Sequence, residues 1–95
     1  MLFIVTKIFD GDTFEINPKW NWNDDTGKVI GLKGYNSPVL GQAGYKEAKE
    51  RLEQLLLDKQ VDLRNPVNLS TGRLLCDVFL DGEDVQEHLG SEIEE

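Results

Sequence analysis

Phe9-Asp10-Gly11-Asp12-Thr13-Phe14 is the stretch that decides the fold of this chain. Asp10-Gly11 is a hairpin signal, because glycine and aspartate tolerate the positive φ that tight two-residue turns demand. Residues 2–9 lead into it with β-branched members (Ile4, Val5, Thr6, Ile8), and Thr13-Phe14-Glu15-Ile16 leads out. Both flanks read as strands. Residues 17–27 read as a polar loop carrying Pro18, Trp20 and Trp22, with turn chemistry at Asp24-Asp25-Thr26-Gly27. A third strand, 28–34, alternates, with Ile30 and Leu32 on one side and Val29, Gly31 and Lys33 on the other.

Farther out, Ala48, Leu52, Leu55 and Leu56 recur with helical spacing and predict one long helix over about 44–58. Val61 and Leu63 alternate with polar neighbours in a fourth strand, 60–64. Residues 73–80 are apolar nearly throughout and predict a central fifth strand. Asp81-Gly82 then turns the chain into a short helical segment at 85–89, and residues 91–95 should fray as an acidic tail. Three strands, a helix and two strands is the element order of an OB-fold, a mainly β domain in which five strands close a Greek-key barrel. The expectation is one such domain over residues 1–90.

Composition narrows the function classes. Ninety-five residues with 18 acids and 10 bases carry a formal charge of −8, and no lysine or arginine follows Arg73. Such a surface repels phosphate backbones and weighs against broad nucleic-acid binding. No apolar run reaches the roughly 18 residues of a membrane-spanning helix. Cys76 is the sole cysteine. It admits no internal disulfide and suits a reducing, cytoplasmic setting. A monomer without a membrane partner is expected.

The ordered set of motifs resembles the staphylococcal-nuclease-like (thermonuclease) domain family over roughly residues 3–89. The carriers are residues 9–14, Gly31-Leu32-Lys33-Gly34-Tyr35-Asn36-Ser37-Pro38-Val39, Glu47-Ala48-Lys49, Thr71-Gly72-Arg73 and Phe79-Leu80-Asp81-Gly82-Glu83-Asp84-Val85. The resemblance implies an OB-fold and a Ca²⁺-dependent phosphodiesterase site. Asp12 matches the first metal aspartate, and Ser37 can offer its carbonyl. Asn36 stands where a second aspartate belongs, and Arg73 matches a phosphate-holding arginine. Gly31 occupies the place of the other arginine, and Val39 that of the water-activating glutamate. Calcium is a hard ion that takes several oxygen ligands, and a guanidinium fork suits phosphoryl oxygens. A positioned general base contributes about 10²–10⁴ in rate, so Val39 implies lost or severely reduced hydrolysis. Lys33, on the strand face of Gly31, is a candidate substitute cation. The resulting expectation is a non-catalytic binding module for a protein or a limited nucleic-acid stretch. The alternative is a weak Ca²⁺-dependent nuclease.

Several residues admit two readings. Asp12 is a metal ligand or a structural acceptor for backbone N–H groups. Arg73 grips phosphate or pairs with Asp12 across the old cleft. Trp20 and Trp22 stack bases or cover the barrel's apolar wall. Val39 and Leu40 join the tryptophans as a candidate partner surface. A hydrolytic reading needs Glu15, Glu47 or Glu50 to reach the cleft.

Overall fold

A computed structural model describes residues 2–35, 37–38 and 40–93, with the backbone alone for 90–93. Asn36 and Val39 therefore lie outside the described residues. The elements are β1 (Leu2–Asp10), β2 (Thr13–Trp22), β3 (Asp25–Leu32), α1 (Tyr45–Leu56), β4 (Gln60–Ser70), β5 (Arg73–Leu80), β6 (Glu83–Asp84) and α2 (Gln86–Ile93). The strand order β3-β2-β1-β4-β5 is closed by a β3–β5 pairing. That pairing is parallel, with Gly31 opposite Leu75, whereas the others are antiparallel. The result is a closed five-stranded, OB-fold-like barrel with a two-residue sixth strand appended to β5. Closure leaves no long open sheet edge to aggregate.

Alternation in the strands fills the barrel. Phe3, Val5, Ile8, Phe14, Ile16, Ile30, Leu32, Val61, Leu74, Cys76 and Val78 form its buried interior. From α1, Ala48, Leu52 and Leu56 turn inward as their spacing predicts. The helix is tied back at its end, where the Asp58 N–H donates to the Val5 carbonyl and the Val5 N–H to that of Lys59. At its start, the Tyr45 hydroxyl donates to the Phe9 carbonyl at 3.2 Å.

Three expectations are corrected. Residues 17–27 are no loop, because β2 runs to Trp22 and pairs with β3 from Asp25. The turn is Asn23-Asp24, with φ 50° and 67°, and positive φ at both central residues matches the twist of the flanking strands. Strand four does not stop at residue 64 but continues to Ser70 across an irregularity between Arg64 and Asn68. Pro66 falls within that interruption, where its missing N–H takes nothing from the ladder. Finally, the helical segment expected at 85–89 runs from Gln86 to Ile93.

Candidate functional site

The turn joining β1 and β2 builds the polar cluster. The Asp12 backbone N–H donates to Asp10 Oδ1 at 3.0 Å, which locks the turn, and the Asp12 carbonyl accepts from the Leu32 N–H at 3.0 Å. Gly11 lies hard against the chain that follows β3 and against α1. A Cβ there would sit 2.7 Å from Ser37 Cβ and 2.8 Å from Ala48 Cβ. Real Cβ atoms do not approach so closely, so glycine at residue 11 is what lets the turn dock. Ser37 Oγ is buried beside it, with no hydrogen-bond partner among the described residues.

Arg73 opens β5 and reaches back to this turn. Its Nη1 donates to Thr13 Oγ1 at 2.9 Å, and the Thr13 hydroxyl donates in turn to Asp12 Oδ1 at 3.0 Å. Arg73 Nη1 stands 3.8 Å from Asp12 Oδ1, and Nε donates to the Ser70 carbonyl at 3.3 Å. The guanidinium is thus directed at the barrel's own threonine and carboxylate. Of the two readings open for Arg73, the geometry has the self-paired one. Thr13, whose part sequence reading missed, is the hydroxyl that links cation to acid.

Asp12 is the electrostatically perturbed group. Desolvation, followed by its contact with Asp10, pushes its pKa up to about 6, against the opposing influence of Thr13 and Arg73. A neighbouring carboxylate disfavours a second negative charge, and the partly solvated guanidinium at 3.8 Å offsets burial and Asp10 only in part. Asp10, which sequence reading treats only as turn chemistry, is therefore a member of the cluster. Its signal was the one-residue spacing from Asp12 across a tight turn.

The remaining candidates are spread around this cluster. Gly31 is buried beside Arg73, and a Cβ on it would lie 3.3 Å from Arg73 Nη1 and 2.6 Å from Leu75 Cδ2. Lys33 Nζ pairs with Asp77 at 3.3 Å, so its charge is engaged two strand positions beyond Leu75 rather than offered beside Arg73. Of the acids that hydrolysis would need, Glu15 accepts from Thr6 Oγ1 at 2.9 Å on the outer barrel face. Glu47 and Glu50 are exposed on α1.

Of the two readings open for Trp20, the geometry has the one in which it covers the apolar wall. It is only 4% exposed and its Nε1 donates to the Val29 carbonyl at 3.0 Å. Gly27 makes room for its ring, since a Cβ there would come within 2.8 Å of Trp20 Cζ2. A ring so enclosed cannot stack a base. Trp22 is half-buried against the core. Leu40, by contrast, is 80% exposed in the segment between β3 and α1.

The donors can be weighed against a calcium ion. Asp10 and Asp12 supply two adjacent carboxylates, but a guanidinium already faces Asp12, and Ca²⁺ takes 6–8 oxygen ligands. Among the described residues, no group of three or more His, Cys, Asp or Glu side chains comes together. The described donors alone do not fit the ion, and the Asn36 position lies outside them. No helix among the described residues is long and apolar enough to cross a membrane. No family model matches this chain, and no curated protein matches it at a significant level.

Proposed function

We propose that this chain is an OB-barrel binding module, built on the plan of the staphylococcal-nuclease-like domains but without effective phosphodiester hydrolysis, and that its partner is a protein of the reducing cytoplasm. The observation that carries this reading is the course of Arg73. Its guanidinium donates from Nη1 to Thr13 and faces Asp12 at 3.8 Å, so part of its charge is already offset within the fold and its pull on a phosphate is weakened. Gly31 offers no second cation next to it, and Lys33 is paired with Asp77. Loss of one charge-stabilising donor costs about 10²–10³ in rate, and the loss of a general base compounds it. Net charge of −8 supports a protein rather than a nucleic-acid partner. Leu40, exposed on the segment that carries Ser37, is the apolar contact offered beside the cluster.

A second reading has one observation in its favour. Burial, followed by contact with Asp10, raises Asp12 to about 6, and a cation between the two carboxylates would relieve the part that is repulsion. A weak Ca²⁺-dependent nuclease would need Asp12 to hold the ion in this way, with further oxygen ligands from outside the described set. The two readings part over cleavage of single-stranded DNA and RNA in millimolar calcium. The binding-module reading expects no cleavage above background and single-strand binding weaker than about 10⁻⁴ M at physiological salt. Cleavage that needs calcium and disappears in Arg73→Ala would overturn it in favour of the enzyme.

A further inference from the structure

The open end of the β1–β2 hairpin holds a feature unconnected with the polar cluster. A half-open cavity of about 210 Å³ is lined by Phe3, Trp20, Trp22, Leu63, Leu74 and Cys76, among others. Phe3 opens β1, and the tryptophans close β2. Pro66, in the irregular stretch of β4, also stands in the lining. An apolar cavity of about 150 Å³ in a protein interior stays dry and admits benzene, so this one has room for a ring with a substituent. The mouth of a β-barrel is a common place for such sites.

We infer that this cavity is a binding site for a small uncharged aromatic compound of one ring or a fused pair. The partly exposed ring of Trp22 offers offset or edge-to-face contact, worth about 0.5–1.5 kcal/mol beyond area burial, and the buried rings of Phe3 and Trp20 add apolar wall behind it. Leu63, Leu74 and Pro66 supply the apolar remainder. Charge excludes an anionic ligand. The protein carries −8 overall, Asp62 stands in the lining, and Arg64, the cation next to it, is already bound to Asp62 at 2.7 Å and lies over the Phe79 ring. Burial pushes the Cys76 thiol up to about 12, so that wall is neutral. A polar substituent such as a hydroxyl would be met by Asn21 or Asp62, the polar members of the lining.

The test is a titration of the whole protein with phenol and indole, read by backbone and indole N–H chemical shifts. Cyclohexanol and benzoate serve as the aliphatic and anionic controls. The proposal expects saturable shifts centred on Phe3, Trp22, Leu63 and Cys76, with Kd below about 1 mM, and binding at least about tenfold weaker for both controls. Cys76→Leu, which fills the cavity, should abolish the shifts. Should that variant fail to fold, Trp22→Ala, at a half-buried position, removes one aromatic wall and should weaken binding at least about fivefold. Absence of saturable shifts with either probe overturns the proposal, as do shifts centred elsewhere. Cyclohexanol or benzoate binding as well as phenol also overturns it, as does undiminished binding in a folded variant.

Discussion

The two ends of the β1–β2 hairpin are packed in opposite ways. At the turn, Gly11 is pressed so closely on Ser37 and Ala48 that one added methyl group has nowhere to go. At the open end, Phe3 and the two tryptophans surround about 210 Å³ of unfilled space. The tight end carries the charges, fixed by hydrogen bonds through Thr13 and the turn backbone, and the loose end carries aromatic surface. A closed barrel must satisfy its strand pairing and fill its core, but a recess at its mouth can stay open to solvent. Here close packing went to the end that orders Asp10, Asp12 and Arg73.

This contrast is open to direct attack. Gly11→Ala inserts a methyl at the tight end and should destabilise by about 2 kcal/mol, as overpacking does. Cys76→Val adds similar bulk at the loose end, and the cavity should absorb it with a change within about 1 kcal/mol. Urea unfolding of both variants measures the difference, and equal losses would break the comparison.

A smaller effect probes the charges. The folded-state pKa of Asp12 lies above its ordinary value of 3.8, at about 6. The folded state therefore holds this proton more tightly than the unfolded chain. The associated stability is fully present below pH 3.8 and is lost as pH rises through about 6. Asp12→Asn removes the charge and should stabilise the protein at pH 7 by about 1 kcal/mol, a value discounted for the partial solvent contact of the group. The gain should vanish near pH 4, where the native carboxyl is protonated. Unfolding curves at the two pH values would show it, and a gain that is the same at both would locate the effect elsewhere.

Much of the fold was legible in the residues. The helical spacing of Ala48, Leu52 and Leu56 and the alternation of the strands give the element order, and that order implies the barrel. Turn placement was only partly legible. Asp81-Gly82 reads as a turn and has positive φ at both positions, whereas the turn expected at Asp10-Gly11 falls at Gly11-Asp12 without positive φ, and Asn23-Asp24 was hidden by the more turn-like run after it. The extension of β4 was obscured by Pro66, which ordinarily ends a strand and here falls within an interruption of the pairing. The candidate site was half legible. Motif order put Asp12 and Arg73 on the same cleft, but the Thr13 hydroxyl between them depends on a contact spanning 60 residues. No local pattern encodes such a contact. The cavity was illegible for the same reason, since it arises from the register of strands distant in the chain.

The most direct test of the account concerns whether Arg73 is committed to Asp12. The Asp12 carboxyl should be followed by ¹³C resonance through a pH titration, in the native protein and in Arg73→Ala. The account predicts titration at about 6 in the native protein and at a higher pH once the stabilising guanidinium is gone. An Asp12 that titrates identically in both proteins would mean that Arg73 is free to meet a phosphate, contrary to the account.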